Sequence, residues 1–372
     1  MKRRNLLRYT AIATASTATL AACNPSTPPT TQSSVINLSQ PLIRWRMATG
    51  WNKSLNVVFG AIDRFCQRVS QATNGRFSIT PYEAGDLASA LEVMDVVSDA
   101  TVECGYTAGY HYIKKHPAFG FSTSMPFGLN SQQHNAWLYS GGGLEALQKI
   151  YSDYGILFFP GGNTGAQMGG WFTREINSAA DLKGLKMRIP GLGGEVLKRL
   201  GVEIFLHQGK DIFKALESGE IQGAEWVGPY EDEKLGLDRV APYYYYPGWW
   251  EPSTMYEIQV NQAAWNQLPK EYQSIFQSAA VEANLTMQSQ YDAVNGEALE
   301  RLTLKGVQLL SYSPEILQAA QKEAFALYED TASQNAGFKV VYEQWKAFRT
   351  QAYRWNRIND LDFASFAFSQ EM

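Results

Sequence analysis

Short strands alternate with helices between residues 43 and 108, and this alternation is the feature that most limits the fold. Residues Ile43 to Ala48 alternate apolar and basic side chains as a half-buried strand does, and apolar residues recur at helical spacing from Trp51 to Ser70. The alternation continues with a strand over Phe77–Pro81, a helix over Leu87–Ser98 and a strand over Val102–Ala108. The pattern predicts an α/β fold with mostly parallel sheets and helices on both faces.

Tyr110 follows the end of the last of these strands. Ligands of open α/β sheets bind outside the carboxyl ends of the strands. Tyr110 is therefore a candidate ligand contact, and an ordinary surface aromatic is the alternative.

The N-terminus carries an export signal. A basic start, Lys2 to Arg8, precedes an apolar run that ends at Cys23. The Arg3-Arg4 pair resembles a twin-arginine signal, and Leu20-Ala21-Ala22-Cys23 resembles a bacterial lipoprotein box. Residues 1–23 are predicted to be a signal peptide that leaves a periplasmic protein lipidated at Cys23, with cleavage without lipid as the alternative. Residues 24–41, rich in Pro, Ser and Thr, are predicted to be a flexible tether.

The charge balance limits the partners of the mature chain. The sequence has 32 Lys and Arg against 36 Asp and Glu, and four of the basic residues lie in the signal, which leaves 28 against 36 and a net charge of about −8. This acidity excludes a nucleic-acid binder. Any anionic ligand must be held by local groups, because the overall field opposes it. The roughly 330 residues after the tether predict two domains or lobes.

Two cysteines remain after the signal, Cys66 and Cys104. An oxidising compartment would allow them to pair. Cys66 falls on the apolar side of a helical pattern, so we expect two free, buried thiols.

Arg188 stands out in the second half of the chain. The segment Leu185 to Ile189 alternates apolar and basic residues, and Pro190-Gly191 ends it, so Arg188 lies at a strand end. A guanidinium held there can grip a carboxylate with two parallel hydrogen bonds, which Lys cannot do. The alternative is a structural ion pair.

The same sequence patterns predict further strands and helices in the rest of the chain. The Gly-rich run Pro160–Gly165 is interpreted as a hinge, because it lacks the Lys and the spacing of a phosphate loop. Other strands are predicted over Ile156–Phe159, Met168–Thr173, Gln222–Val227, Asp238–Tyr246 and Tyr256–Val260, and helices over Gly193–Leu200, Asp211–Glu217, Lys270–Leu304, Pro314–Ala336 and Val340–Arg357.

Three separated segments resemble one family. They are Leu185-Lys186-Met187-Arg188, Leu216 to Ala224 and Met125-Pro126-Phe127-Gly128. In this order they resemble the extracytoplasmic solute-binding proteins of tripartite ATP-independent periplasmic (TRAP) transporters, from Trp45 to about Phe348. The closest branch is the one that binds 2-oxo acids such as pyruvate, together with the related lactate binder.

The resemblance implies a two-lobed fold crossed by one long helix. Lobe I would comprise residues 42–165 and 253–295, and lobe II residues 166–252 and 296–338. Residues 339–372 would form a C-terminal helical segment, which is exchanged in a dimer in the 2-oxo acid branch. The apolar stripe of this segment alone leaves a homodimer and packing on the body equally open.

The resemblance also implies a site. A cation would be held by the Gln167 side-chain oxygen, the Glu225 carboxylate, the Trp226 backbone carbonyl and the Glu251 carboxylate. These are hard oxygen donors, which suit Na⁺ or, alternatively, Ca²⁺. Arg188 would take the carboxylate of a small 2-oxo acid, with Gln167 beside it, Tyr110 donating across the cleft and the Trp226 indole as a wall. Spacing alone favours solvated loop carboxylates at Glu225 and Glu251, and the resemblance reverses this interpretation.

The expected function is the capture of a small carboxylate and its delivery to a TRAP membrane permease. Within this role lactate, a dicarboxylate or glutamate stay open as ligands. A metal-dependent periplasmic enzyme is disfavoured, because the four His residues show no ligand spacing and no Ser or Cys lies in a nucleophile motif. Arg188 and the paired carboxylates argue against a neutral sugar as the ligand.

Overall fold

The computed structural model describes residues 40–370, which fold around two mixed β-sheets. The strands are β1 Ile43–Thr49, β2 Phe77–Tyr82, β3 Cys104–Thr107, β4 Ile156–Asn163, β5 Trp171–Phe172, β6 Lys186–Arg188, β7 Glu203–Phe205, β8 Gly223–Ala224, β9 Tyr243–Tyr246, β10 Met255–Asn261 and β11 Gln308–Ser311. One sheet has the order β2-β1-β3-β10-β4 and the other β11-β9-β5-β8-β6-β7.

Thirteen α-helices surround the two sheets within the described residues. They are α1 Val58–Ala72, α2 Val93–Ser98, α3 Gly120–Thr123, α4 Ser131–Ser140, α5 Gly143–Ser152, α6 Gly191–Arg199, α7 Gly209–Glu217, α8 Pro229–Leu235, α9 Gln262–Asn266, α10 Lys270–Leu304, α11 Pro314–Gln334, α12 Ala336–Asn356 and α13 Asp362–Phe368. No helix among residues 40–370 is long and apolar enough to cross a membrane.

Each sheet combines parallel and antiparallel pairs. In the first, β1 runs parallel to β2 and β3, while β10 runs antiparallel to β3 and β4. In the second, β6 is parallel to β7 and β8, β9 is parallel to β11, and β5 is antiparallel to β8 and β9. The prediction of mostly parallel α/β sheets with two lobes is confirmed.

The first lobe is packed around an aromatic core. Trp45 of β1 meets the rings of Phe77 and Phe276 at 5.0 and 6.2 Å, and Phe65 of α1 meets Phe276 at 4.8 Å. All four side chains are at most 6% exposed. The alternation of β1 thus places its apolar residues against α1 and α10, as the sequence predicts.

Helix α10 extends from the first lobe to the second. Its early residue Phe276 belongs to the core of the first lobe, and its late residue Leu302 belongs to the core beside β9 and α7. Between them, the Asn295 side chain accepts a hydrogen bond from the backbone N–H of Tyr230 on α8, at 3.1 Å. The predicted bounds of this helix and its passage between the lobes are confirmed, whereas the residue boundaries of the lobes stay a prediction.

Helix α12 packs on the body, but the segment after it does not. Phe338, Tyr342 and Trp345 are buried against α4, α5 and α11. Beyond them lie exposed apolar side chains: Trp355, Ile358, Leu361, Phe363, Phe366 and Phe368, each between 56% and 72% exposed.

Several predicted boundaries are wrong, for two reasons. Helix α1 begins at Val58 instead of Trp51, because the Trp51 carbonyl accepts hydrogen bonds from the Thr49 hydroxyl and the Ala84 N–H and cannot serve a helix. The predicted helix over 87–98 forms only as α2, since residues 85–92 make turns through Gly85 N–H to Ala88 O and Glu92 N–H to Ser89 O. Leu91 in the second of these turns lines the cleft, whereas Trp51, Leu55 and Val57 in the first are buried in the core of the first lobe.

The Gly-rich run is not a hinge at its start, because residues 160–163 continue β4. A Cβ at Gly161 would lie 2.6 Å from Ile258 of the neighbouring strand, so glycine is needed there for close packing. Strands β5 and β8 are also shorter than predicted, at two residues each.

Cys66 and Cys104 are both buried and unpaired within residues 40–370, as expected. The predicted signal peptide, the lipid site at Cys23 and the tether up to residue 39 lie outside the described residues.

Candidate functional site

Arg188 ends β6 and is held by three hydrogen bonds. Its Nε donates to the His207 carbonyl at 3.1 Å, and its Nη1 donates to both the carbonyl and the Oε2 of Glu225 at 2.7 and 2.8 Å. Within residues 40–370 its Nη2 donates no hydrogen bond. The side chain is 7% exposed. The guanidinium is thus fixed in orientation while one terminal nitrogen stays available to an anion.

The register of the sheet brings Glu225 to this guanidinium. Strand β8 pairs with β6 through Ala224 and Arg188, and the next N–H along, that of Glu225, donates to the Arg188 carbonyl at 3.0 Å. The following residue, Trp226, lies with its ring 5.2 Å from the Arg188 guanidinium carbon. Arg188 is therefore enclosed by one carboxylate and one aromatic face.

Two buried carboxylates share this region, Glu225 at 1% exposure and Glu251 at 4%. Burial raises the pKa of Glu225 well above its ordinary value, the charge of Glu251 raises this pKa further, and Arg188 opposes both effects. Burial also raises the pKa of Glu251, against a hydrogen bond from Thr254. One guanidinium does not compensate two buried negative charges, so the pair favours a second positive charge nearby.

Gln167 presents an oxygen without a partner. Its Nε2 donates to the Thr254 hydroxyl at 2.8 Å, and that hydroxyl donates to Glu251 Oε2 at 2.5 Å. Because the Thr254 proton is already committed to Glu251, the Gln167 amide has to turn its nitrogen towards Thr254. Its Oε1 is left buried without a hydrogen-bond donor among the described residues. An orphaned buried acceptor beside two carboxylates is the environment that a hard cation would complete.

Backbone hydrogen bonds draw the three segments together. The N–H of Met168 donates to the Val227 carbonyl at 3.3 Å, and the N–H of Gly248 donates to the Gln167 carbonyl at 3.1 Å. The Trp226 carbonyl accepts no hydrogen bond within residues 40–370. Gln167, Glu225, Trp226 and Glu251 thus lie close together and offer three kinds of oxygen ligand, which are a side-chain amide, two carboxylates and a backbone carbonyl.

The residues present fit a hard cation. No group of three or more His, Cys, Asp or Glu side chains with metal-binding geometry occurs in residues 40–370. A cation here would therefore draw on the amide and carbonyl oxygens as well as the two carboxylates. Such an all-oxygen set suits Na⁺ or Ca²⁺ and does not suit zinc.

A cavity of about 110 Å³ lies between the lobes beside these groups. The first lobe contributes Trp51, Tyr110 and Tyr256, and the second contributes Arg188, Glu225 and Trp226. Gln167 and Glu251 do not line it. Pockets for drug-sized molecules measure about 300–1,000 Å³, so this cavity suits an organic acid of a few heavy atoms.

Two tyrosines face the cavity as hydrogen-bond donors. Burial and the charge of Glu251 raise the pKa of both Tyr110 and Tyr256 well above the ordinary value, so each keeps its proton. Both side chains line the cavity. Beside Tyr110, burial and the Arg188 charge lower the pKa of His111 to about 3, which leaves that ring neutral.

Sequence reasoning missed Tyr256 and Thr254. Tyr256 lies in a strand whose alternation indicates a core position, and its ring packs against Trp51 with centroids 4.4 Å apart and planes tilted by 48°. Thr254 acts through its hydroxyl between Gln167 and Glu251, three residues after Glu251. No sequence pattern distinguishes either residue from a structural one. The role of each depends on where β10 lies relative to β4 and to the loop before β10.

The sequence matches a known family and several known proteins. A family model described as bacterial extracellular solute-binding protein, family 7, matches residues 47–335. A Nostoc sp. protein named monocarboxylate 2-oxoacid-binding periplasmic protein is 57% identical over 371 residues, an alignment that covers 100% of each chain.

Solved structures agree in fold. A Bordetella bronchiseptica TRAP transporter solute-binding protein, a mixed-occupancy dimer with copurified calcium and picolinate, is 43% identical, with a TM-score of 0.88 over 89% of this chain and 98% of that one. A Pseudoalteromonas atlantica TRAP periplasmic solute-binding protein with bound sodium and pyruvate is 36% identical, with a TM-score of 0.84 over 87% and 98%.

Proposed function

The chain belongs to family 7 of the bacterial extracellular solute-binding proteins, and from this we propose that it is the solute-binding subunit of a TRAP transporter, which captures a small 2-oxo monocarboxylate together with a cation. The observation that carries the proposal is the arrangement at Arg188. A guanidinium fixed by three hydrogen bonds keeps one nitrogen towards a small interlobe cavity, beside an orphaned Gln167 oxygen.

Charge explains why an acid and a cation would bind together. Glu225 and Glu251 bring two negative charges, the ligand brings a third, and Arg188 supplies one positive charge. In a buried site this imbalance is costly unless a cation reduces it. Gln167 Oε1, the Trp226 carbonyl and the carboxylates of Glu225 and Glu251 would hold Na⁺ or Ca²⁺, and Arg188 Nη2 would receive the ligand carboxylate.

The ligands of the related structures support a 2-oxo acid. Pyruvate has a keto oxygen next to its carboxylate, and picolinate has a ring nitrogen in the same relation to its own. Both offer two donors to one cation while the carboxylate stays accessible to a guanidinium. In this protein Tyr110 and Tyr256 would donate to the ligand from the first lobe, and the Trp226 indole would wall in its apolar end.

The wider assembly belongs to the same proposal. The loaded protein would deliver its ligand to TRAP permease subunits in the membrane.

The exposed apolar segment between Trp355 and Phe368 supports a homodimer, because a stripe of this size is rarely left in water. Lipidation at Cys23 would keep the protein at the periplasmic face of a membrane; mass spectrometry of the protein from its native membrane would detect the acyl chains.

A thermal-shift screen tests the ligand class. Pyruvate, longer 2-oxo acids, lactate, succinate and glutamate are added to the mature protein with Na⁺, with Ca²⁺ and after cation removal. Mass action raises the melting temperature only for what binds the native state. We expect 2-oxo monocarboxylates with a cation to give the largest rise. A larger rise with succinate or glutamate would reassign the ligand, and a rise with neutral sugars alone would overturn the proposal.

A further inference from the structure

Asp232 is a buried carboxylate that no part of the site described so far includes. It lies on α8, is 1% exposed and accepts four hydrogen bonds. Its Oδ1 accepts from the backbone N–H groups of Val227 and Gly228 at 3.1 and 2.9 Å. Its Oδ2 accepts from Trp171 Nε1 and the Tyr244 hydroxyl, both at 2.8 Å.

One of these hydrogen bonds acts on a candidate cation ligand. The N–H of Val227 and the carbonyl of Trp226 belong to the same peptide group, which is planar, with the two bonds pointing in opposite directions. Fixing the N–H on Asp232 therefore fixes the direction of the Trp226 carbonyl. A carboxylate on the N–H side also polarises the peptide and makes its oxygen a stronger donor to a cation.

The other side of Asp232 is anchored in the second sheet. Trp171 of β5 and Tyr244 of β9 stack with ring centroids 3.9 Å apart and planes at 16°. Both rings are fully buried. Asp232 thus connects a rigid aromatic pair to the turn that follows Glu225 and Trp226, and its second bond, to Gly228, keeps that turn from rotating.

We infer that Asp232 is the positioning residue that aims the Trp226 carbonyl at the cation. The inference rests on the proposed cation site and deepens it. Some residues do not touch a metal ion but hydrogen-bond to one of its ligands and orient it. Replacing such a residue typically changes metal affinity about 10- to 100-fold. Asp232 would act on the cation directly and on the organic acid only through the cation.

Calcium titrated into the wild type and Asp232→Asn by calorimetry at pH 8, without organic acid, tests the inference. We expect Asp232→Asn to bind Ca²⁺ about 10- to 100-fold more weakly, because its amide NH₂ must face either the Trp171 Nε1–H or the Val227 and Gly228 N–H groups and sets donor against donor in both cases. Tyr244→Phe is the stability control: it removes one bond to Oδ2 but keeps the stacked ring and both bonds to Oδ1, so its Ca²⁺ affinity should stay within about threefold of wild type.

Glu231→Gln is the charge control. Glu231 is the neighbouring buried carboxylate, and its Oε1 accepts from the Val57 N–H at 3.3 Å and the Tyr291 hydroxyl at 3.2 Å, bonds that glutamine can keep. If Glu231→Gln weakens Ca²⁺ binding as much as Asp232→Asn does, loss of charge explains the effect and the positioning role is overturned. Wild-type affinity in Asp232→Asn would overturn it as well.

A measurement on the wild type covers the case in which Asp232→Asn does not fold. With backbone ¹³C and ¹⁵N labelling, Ca²⁺ should shift the carbonyl carbon of Trp226, and a hydrogen-bond coupling should join Val227 nitrogen to the Asp232 carboxyl carbon. An unchanged Trp226 carbonyl with Ca²⁺ bound elsewhere would overturn this inference alone. Failure of the wild type to bind Na⁺ or Ca²⁺ at all would overturn the proposed function with it.

Discussion

Three fixed acceptors distinguish Arg188 from a surface arginine. Its Nε and Nη1 are both engaged by the protein, so a bound carboxylate meets a guanidinium whose rotation is already restricted. Lysine carries a single ammonium point charge and cannot satisfy His207, Glu225 and a ligand in these directions at once. The two roles predicted for Arg188 therefore do not exclude each other. Nη1 forms the structural ion pair with Glu225, and Nη2 stays available for a ligand carboxylate.

We expect Arg188→Lys to weaken pyruvate binding by about 2–5 kcal/mol, the range for disrupting a buried hydrogen-bonded charge pair. Calorimetry with pyruvate and Ca²⁺ measures the loss. Arg199→Lys is the matched control, because Arg199 pairs with exposed Asp330 at 2.9 Å and surface pairs contribute little. Equal affinities for wild type and Arg188→Lys would remove Arg188 from the ligand site.

Glu257 is a second buried acid with a positional role. Its Oε1 accepts from the hydroxyls of Tyr151 and Ser122 at 2.9 and 3.2 Å, and a Cβ on Gly109 would lie 2.5 Å from it. Glu257 therefore backs the turn that carries Tyr110. Burial raises its pKa to about 7, although the hydrogen bonds from Tyr151 and Ser122 oppose the shift.

The raised pKa of Glu257 makes stability depend on pH. The unfolded chain releases this proton near pH 4.5 and the folded protein near pH 7, so raising the pH through this window favours unfolding. Glu257→Gln removes the dependence while keeping an acceptor oxygen. The stability advantage of wild type over Glu257→Gln should therefore fall by about 2–3 kcal/mol between pH 5 and pH 8.

Denaturant unfolding of both proteins at the two pH values measures this fall. Glu145→Gln is the control, since Glu145 is exposed and pairs with Lys149, four residues away on α5. Its difference from wild type should not change with pH by more than a few tenths of a kcal/mol. A wild-type advantage over Glu257→Gln that stays constant or grows with pH would contradict the buried, protonated state of Glu257.

At the scale of elements, the loop that carries Glu251 is held by a segment far away in sequence. The Phe127 N–H donates to the Trp249 carbonyl at 2.8 Å, and the two rings stack with centroids 5.1 Å apart. The Ser124 hydroxyl donates to the Trp250 carbonyl at 3.4 Å. Phe127 has a φ of 53°, a strained conformation for a residue other than glycine. The Met125–Gly128 segment of the family resemblance thus positions a site loop.

The sequence could predict elements whose apolar residues face the core. Strand β1 and helix α10 follow the periods 2 and 3.6, and the observed bounds of both lie within one residue of the predicted bounds. The helix predictions over residues 51–57 and 87–92 are wrong, because apolar side chains in turns can reach the core or the cleft, as Trp51 and Leu91 do, and so imitate a helical pattern. The strand pattern singled out Arg188, but Gln167, Glu225 and Glu251 needed the family resemblance, since oxygen ligands have no spacing rule when a sheet brings them together.

The C-terminal segment allows an element-scale prediction. Ile358, Phe363 and Phe366 are between 67% and 72% exposed, so within one chain they contribute little to folding. If this segment joins two copies, replacing the three with serine should convert a dimer to a monomer and leave the unfolding curve of the monomer nearly unchanged. Sedimentation velocity measures the change in mass.

Leu304→Ser is the control for this experiment. Leu304 is 80% exposed at the end of α10, outside the C-terminal segment, and its replacement should leave the assembly unchanged. A wild type that sediments as a monomer at all concentrations, or a dimer that survives the triple replacement, would contradict the dimer proposal without affecting the ligand site.

At the scale of the whole molecule, the cavity belongs to neither lobe alone. Trp51, Tyr110 and Tyr256 approach it from the first sheet, and Arg188, Glu225 and Trp226 from the second. Helix α10 is the continuous connection between the two cores. A ligand that contacts both walls binds the closed arrangement better than the open one, and only this difference in affinity can shift the protein towards closure.

Binding of the cation and of the organic acid should therefore be coupled. Each is trapped by the same closure, and the opposite charges of the cation and the acid attract each other beside Glu225 and Glu251. We expect cation removal to weaken pyruvate binding about 5- to 150-fold, and saturating pyruvate to tighten Ca²⁺ binding by the same factor, because equilibrium coupling is reciprocal.

Four calorimetric titrations, pyruvate with and without Ca²⁺ and Ca²⁺ with and without pyruvate, close this cycle. Linkage requires equal factors from its two sides, which checks the titrations, and a factor well above one shows that the two ligands are coupled. Arg188→Lys then separates the two contributions: it should weaken pyruvate in both arms while cation binding without acid changes much less. Pyruvate affinity that is the same with and without cation would show that the two bind independently, and the shared site would have to be abandoned even if each one binds tightly.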